Sequence, residues 1–398
     1  MINDSCAGVS ESDLAVGRPL NVVFIADLPV TGGATNSLVE LTAALHDLYG
    51  VNCTVCTHQK SELNERLRAV GVSSVVTGHG PFLAGGSHSK LRTAYSVVAN
   101  CYRWRKAINT SICKAEEAID FSKVDLIHSN LPRTDLGILL AAKHGIPHIC
   151  HLRESSFEDF NCVSLRKDPA KFISDNSAAM IAVSNYVKAN WVSRGADPNK
   201  IRVIYNGVNV GGIRRKSAER KSGPLKVIFL GGYAKGKGID DVLKAAAELP
   251  QAVAGRIQID VYGYGNATFA NAYVRRHGLE QFIRLHGVLE NVKECLADYD
   301  IGLACSKAEA FGRIILEYKT AGLGVIAANR GAFPELIEDG VDGVLYDSNA
   351  SGRRLSETLY AAAVGDLKFN LESTDVTQRT AADVAREVYP LYLQAVKA

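Results

Sequence analysis

Glu309 and Glu317 stand eight positions apart in the stretch SKAEAFGRIILEYKTAG, with Phe311, Gly312 and Arg313 between them. An ionised carboxylate only accepts hydrogen bonds, so each acid calls for a partner rich in donors, and the hydroxyl groups of a sugar meet that need. The apolar run YDIGLACS precedes the pair as a strand. Glu309 falls in the turn after it, Phe311 and Gly312 open a helix, and Gly322 is placed to end that helix. Glu317 then lies one to two turns in. A helix N-terminus attracts an anion, and Arg313 in the first turn adds a donor fork suited to phosphate. Carboxylates repel a diphosphate, so the two acids suit the neutral groups at its ends: a ribose diol at Glu317 and a sugar ring at Glu309. Taken singly, either acid also reads as a solvated glutamate or one that complements the helix dipole. That plainer reading explains the segment as a whole poorly.

A second anion-seeking stretch is LGGYAKGKGIDDVLKAAAEL, in which a strand leads through a glycine turn and two lysines, Lys235 and Lys237, into a helix. Alone it is weak, because turns between strand and helix often carry Gly and Lys for solubility. No G-x-G-x-x-G and no G-x-x-x-x-G-K-[ST] occurs, so dinucleotide-dependent redox chemistry and a P-loop are both disfavoured.

The elements that must hold these residues follow from periodicity. NVVFIAD (21–27) is a buried strand that passes through LPVTGGAT, with Gly32 and Gly33, into a helix pattern at Leu38, Leu41, Leu45 and Leu48. Ser37 and Glu40 have capping-box spacing and set the expected start of that helix. Strand and helix then alternate through VDLIHSN, IPHICHLR, AAMIAVS and IRVIYNG. The basic, glycine-rich VNVGGIRRKSAERKSGPL (208–225) breaks the rhythm like a linker. A second series follows in KVIFLGG, IQIDVYGYG, FIRLHG, YDIGLACS and GVIAA. The fold expected is α/β: two doubly wound parallel domains facing each other across a cleft, with VYGYGN (including Gly263) and HGVLEN as loops around a base.

Composition bounds the rest. The 398 residues suffice for about two domains, and 45 basic against 42 acidic side chains give a net charge of +3, without the basic excess of a nucleic-acid binder. No nucleic acid is expected. The opening 1–19 reads as a loose tail without a secretory signal, and no apolar run approaches the ~20 residues of a membrane span. Nine cysteines, an odd number, point to a reducing compartment and a cytoplasmic setting. Cys53 and Cys56 form a C-x-x-C inside a β-branched run, where they read as strand thiols and not as a redox pair. Residues 90–114 mix Arg92, Arg103, Arg105 and Lys106 with Tyr95, Tyr102 and Trp104. Such a helix suits peripheral contact with an anionic inner membrane face and suits a solvated surface equally.

Together, the E-x7-E of Glu309 and Glu317, the following AGLGVIAANRGAFPELIEDGVDGVLYD, Lys237 with Gly238, AVSNYVK, VIYNGVN and TGGA resemble glycosyltransferase family four, over about residues 20 to 395. The resemblance implies the GT-B fold with two Rossmann-like domains: an acceptor domain at 20–210, a donor domain at 211–378 and a last helix, 379–398, crossing back to the first. It also implies a retaining transfer of a hexosyl group from a UDP- or GDP-sugar to a glycan or lipid-linked acceptor, in polysaccharide or glycoconjugate synthesis, without metal or cofactor. Carried onto this chain, Glu317 would hold the ribose and Glu309 the donor sugar. Lys237 would neutralise the diphosphate, Gly32 and Gly33 would let backbone approach the phosphates, and His151 would face the sugar. Many relatives carry arginine where this chain has Gly232, which leaves Arg313 as the replacement cation. The rival readings are a metal-dependent single-domain transferase using Asp298 and Asp300 as D-x-D, a nucleotide-sugar epimerase or hydrolase, and a non-catalytic sugar-binding subunit.

Overall fold

The computed structural model describes residues 18–26, 32–85, 90–154, 162–216, 223–348, 352–369 and 379–397. Most of the tail expected at 1–19 therefore lies outside the described residues. The chain divides into two compact units, one formed by 1–207 with 379–398 and the other by 208–378.

The first unit is built on β1 (Asn21–Ala26), β2 (Asn52–Thr57), β3 (Ser73–Val76), β4 (Leu83–Gly85), β5 (Leu126–Ser129), β6 (His148–Leu152), β7 (Cys162–Ser164), β8 (Ala179–Ala182) and β9 (Ile201–Val203). Seven of these form one sheet in the order β3-β2-β1-β5-β6-β8-β9, and all its pairings are parallel. β4 and β7 pair separately and antiparallel, a feature that periodicity does not announce. The connecting helices are α1 (Gly33–Tyr49), α2 (Glu62–Ala69), α3 (Lys90–Ala118), α4 (Leu136–His144), α5 (Pro169–Asp175) and α6 (Asn185–Ser193). Five of the six β1 residues are buried, as a strand covered on both faces requires.

α1 starts at Gly33, before the capping box expected at Ser37 and Glu40. Gly32 takes the extended N-cap position, and its carbonyl accepts from Asn36 N at 2.9 Å. Ser37 lies inside the helix and is buried. A glycine at the N-cap costs only a few tenths of a kcal/mol relative to Ser or Asp, so the chain turns into the helix as soon as the loop allows. Cys53 and Cys56 sit in β2 an odd number of residues apart and so on opposite faces of the sheet. Burial pushes each thiol up to about 12, which leaves them as hydrophobes.

The second unit repeats the plan with β10 (Leu225–Phe229), β11 (Ile257–Val261), β12 (Ile283–Leu285), β13 (Ile301–Ala304), β14 (Gly324–Ala328) and β15 (Val344–Tyr346). Its order, β12-β11-β10-β13-β14-β15, is again wholly parallel. The helices are α7 (Ile239–Glu248), α8 (Thr268–His277), α9 (Val292–Cys295), α10 (Arg313–Thr320) and α11 (Arg353–Val364). In each sheet the order reverses once, between β1 and β5 and between β10 and β13. Loops leaving the C-terminal ends of such neighbouring strands diverge and leave a crevice, where ligands of doubly wound sheets bind.

After residue 378 the chain returns to the first unit. α12 (Ala381–Lys397) buries Val384, Ala385, Val388 and Tyr392 against the core shared with α1, and Tyr389 stacks on Tyr49 at 4.0 Å. Tyr392 is fully buried and its hydroxyl meets His128 Nδ1 at 2.5 Å. Gly207 makes room for this return, because a Cβ there would stand 2.3 Å from the Thr380 carbonyl. Among the described residues, no helix is long and apolar enough to cross a membrane.

Candidate functional site

In the second unit the switch between β10 and β13 brings Lys237 and Glu309 together. Lys237 ends a 3₁₀ turn after β10, Glu309 lies in the loop after β13, and Lys237 Nζ is 3.5 Å from Glu309 Oε2. With the lysine half exposed this is a long, weak ion pair, so the ammonium is held near the carboxylate but can turn to another anion. The loops are tied by backbone as well: Lys307 N donates to Gly236 O at 2.9 Å, and Lys307 Nζ bonds Asp240 at 2.6 Å. A Cβ on Gly238 would fall 1.9 Å from the Cys305 carbonyl, so the chain after Lys237 touches the end of the β13 strand directly.

Gly312 caps α10 with φ +94, Arg313 is its first residue, Glu317 lies in its second turn, and Gly322 follows its end with φ +76. Arg313, Glu309 and Glu317 are all partly exposed, whereas Phe311 is buried and anchors the loop. α10 carries no acid in its first turn and no side-chain cap, which leaves its N-terminal charge unanswered from within the helix. α7 differs. Asp240 and Asp241 occupy its first turn and complement its own dipole, so Lys237 and not the α7 N-terminus is the anion-seeking feature of that stretch.

Gly232 and Gly263 hold each other. Gly232 has φ +65, and a Cβ there would stand 2.4 Å from Tyr264 O; a Cβ on Gly263 would stand 2.6 Å from Gly232 N. The loops after β10 and β11 are thus pressed backbone to backbone, and no arginine fits at 232 without moving them. An arginine there would be strained by the local backbone. Beside these loops Tyr262 stacks on His286 at 4.4 Å, and His286 Nε2 meets Asp260 Oδ1 at 2.9 Å. Asp298 and Asp300, the D-x-D rival, are engaged in ion pairs: Asp298 with Arg214 at 2.7 Å, and Asp300 with Lys216 while it accepts from Lys226 N at 2.7 Å.

In the first unit Gly32 and Gly33 are exposed where β1 gives way to α1. Among the described residues, nothing lies within 4 Å of a would-be Gly32 Cβ, and α1 has neither an acid in its first turn nor a side-chain cap. His151, near the end of β6, is wholly buried. Its Nδ1 accepts from Arg153 Nη2 at 3.3 Å, and its Nε2 has no partner among the described residues. Burial first, then the nearby Arg153 charge, hold its pKa well below the ordinary value, so it is a neutral imidazole.

Arg153 itself escaped sequence reasoning. It is buried and donates to Asn130 Oδ1 at 2.9 Å and to Asn206 Oδ1 at 2.7 Å, joining the ends of β5, β6 and the segment after β9. The one signal was the pair of asparagines that each follow an apolar strand.

Residues 31–211 match the family described as Glycosyltransferase Family 4, and residues 213–362 match Glycosyl transferases group 1. An uncharacterized glycosyltransferase of Methanocaldococcus jannaschii is 26% identical over 81% of this chain and 82% of its own. A D-inositol 3-phosphate glycosyltransferase of Catenulispora acidiphila is 25% identical over 66% of each. Among solved structures, HepE of Anabaena in complex with UDP and glucose superposes with a TM-score of 0.65 at 18% identity, covering 95% of this chain and 97% of that one. A glycosyltransferase of Rickettsia africae superposes at 0.70 with 17% identity, covering 95% and 99%. These likenesses carry the two-domain GT-B fold.

Proposed function

The chain belongs to the family 4 glycosyltransferases, and from that premise we propose that it moves a hexosyl group, with retention, from a UDP- or GDP-sugar to a hydroxyl of a glycan or lipid-linked acceptor. The observation that carries the reading is the meeting of Lys237 with Glu309 at the strand-order switch, beside an α10 N-terminus bearing Arg313 and Glu317. Lys237 and Glu309 leave the neighbouring strands β10 and β13, and Arg313 and Glu317 follow on α10, which supports a role for them with a diphosphate, a sugar and a ribose. The UDP and glucose bound by HepE of Anabaena favour the same class of donor.

In this mechanism Lys237, Arg313 and the α10 N-terminus stabilise the departing nucleoside diphosphate, which is the preorganised charge such a transfer needs. The acceptor oxygen bonds to the anomeric carbon from the face the phosphate leaves. The phosphate oxygen keeps the electron pair of the broken C–O bond, and the acceptor proton passes to the leaving phosphate. Glu309 orients the sugar near its anomeric carbon, Glu317 holds the ribose, and Gly32 and Gly33 offer open backbone to the phosphates. His151 is a weak base, because burial and the Arg153 charge disfavour its protonated form, so its place in this scheme is to face the sugar and not to take the acceptor proton.

A thermal-shift panel of UDP, GDP, ADP and their sugars tests the donor, because a ligand at a hundred times its dissociation constant adds about 2.7 kcal/mol to apparent stability. Product analysis then separates transfer from epimerisation or hydrolysis. No divalent ion is required on this reading, and EDTA should leave the rate within about twofold, well under the tenfold that 1.4 kcal/mol represents. Loss of activity on chelation with rescue by Mn²⁺ would refute the charge scheme.

A further inference from the structure

Thr77 and Gly78 directly follow β3, at the C-terminal edge of the first unit's sheet, and the middle of α3 runs past them. A cavity of about 430 Å³ lies there, lined by Thr77, Gly78, Tyr102, Arg103, Lys106 and Lys114 among others. Arg103, Lys106, Thr110 and Lys114 recur at spacings of three and four, which sets them along one face of the helix. Lys114 Nζ lies 3.8 Å from the position a Gly78 Cβ would take, so the bare backbone of Gly78 leaves the ammonium facing the loop.

All three cations are exposed and, among the described residues, none is paired with a carboxylate. Glu116, on the next turn of α3, is engaged instead by Lys143 at 2.7 Å and His144 at 2.8 Å. Like charges gathered round one groove repel one another until an anion enters. The guanidinium fork matches phosphate oxygens and the ammoniums add point charge.

We propose that this cavity is a phosphate-binding subsite, and that the molecule it takes is a phosphate- or diphosphate-bearing acceptor. The acceptor role rests on the transfer reading above; the phosphate site does not. Nothing in the donor assignment uses these residues, which belong to the other unit's sheet edge. Tyr95, Val98 and Tyr102 recur at i, i+3 and i+7 on the adjoining face and are 78%, 70% and 70% exposed, so a hydrocarbon chain joined to the phosphate would find apolar surface beside it. The phosphate can thus come from a lipid headgroup or from a soluble phosphorylated saccharide.

Calorimetric titration with inorganic pyrophosphate at fixed ionic strength tests the site. Full-length protein should bind two equivalents. Lys106→Ala/Lys114→Ala should lose one, its affinity falling at least tenfold, and Lys237→Ala/Arg313→Ala should lose the other. Co-sedimentation with phosphatidylglycerol and with phosphatidylcholine vesicles separates the sources. Anionic-vesicle binding that disappears with the two lysines identifies a headgroup; pyrophosphate binding without vesicle binding identifies a soluble phosphate. If Lys106→Ala/Lys114→Ala still binds two equivalents, or the unaltered protein binds only the equivalent that Lys237→Ala/Arg313→Ala removes, the proposal is wrong. Thermal shifts with UDP and GDP on the same proteins report folding and the donor site separately. A chain that ignores nucleotides yet loses pyrophosphate with the α3 lysines would retain this site and lose the transferase reading.

Discussion

Gly331 lies against the main chain of Glu309: a Cβ on it would stand 2.7 Å from the Glu309 carbonyl oxygen and 3.0 Å from its nitrogen. Ala332 N donates to the same carbonyl at 2.9 Å. The loop after β14 therefore fixes the height of the Glu309 loop over the sheet. Gly331→Ala forces φ +62 on a residue with a side chain, costing about 1–2 kcal/mol, and pushes Glu309 away. A displacement near 1 Å costs on the order of a hundredfold in rate, so kcat should fall by about ten- to a hundredfold while nucleotide affinity holds. Gly331→Asn separates the two causes, because asparagine tolerates this φ but brings the same Cβ. Normal turnover by the asparagine variant would remove the contact from the explanation.

The two acids should fail differently. Glu309→Gln acts at the reacting centre and should lower kcat by on the order of a hundredfold, whereas Glu317→Gln should chiefly raise the dissociation constant of the nucleotide. Steady-state kinetics beside nucleotide titration reads both effects. Unchanged kcat in Glu309→Gln would contradict its placement beside the anomeric carbon.

Restoring the arginine that many relatives carry should not help this chain. If Arg313 replaces that cation, Gly232→Arg would make good part of its loss, unless position 232 requires glycine for a positive φ. The positive φ and the 2.4 Å approach to Tyr264 O make it instead a strained substitution that spreads two loops. A loss of roughly 1–3 kcal/mol is the scale for such backbone strain. Melting of Gly232→Arg, Arg313→Ala and the double variant should give additive losses without rescue. Recovery of turnover by the double variant would mean the loops open more readily than their contacts imply.

Both sheets were legible because buried parallel strands are continuous apolar runs, and the placement of Glu309 in a loop and Glu317 on a helix was legible because a strand, a turn, Gly312 and Gly322 bracket them. What escaped depends on contacts made once, far apart in sequence. Arg153 with Asn206 and Gly207 with Thr380 have no period to betray them. The start of α1 was misplaced for a local reason: Ser37 and Glu40 have the right spacing, but the helix had already begun at a glycine. Trp104 shows the same limit on α3. Read as part of a solvent- or lipid-facing mixture, it bonds Asp135 through Nε1 at 3.2 Å and lies under the Arg166 guanidinium at 5.1 Å.

Acid should weaken the first unit through its histidines. His148 is buried between Ser129 Oγ at 2.8 Å and Ser177 Oγ at 2.9 Å, and burial lowers its pKa to about 3. His79 is buried between Thr77 Oγ1 at 2.6 Å and Ala26 O at 3.1 Å, and burial, then neighbouring His58, lower its pKa to about 4. Unfolded, both take up a proton near 6.5; folded, they stay neutral until far lower pH. Between about pH 6.5 and 4 the unfolded chain therefore binds more protons, so stability is fully present above that window and falls as pH drops through it. The slope is up to about 1.4 kcal/mol per pH unit for each histidine, or roughly 2 kcal/mol apiece by pH 5. Urea unfolding at pH 7.5, 6 and 5 should show that decline, and His148→Gln, although less stable at neutral pH, should show a shallower one. A variant with the slope of the unaltered protein would mean that His148 does not stay neutral in the fold.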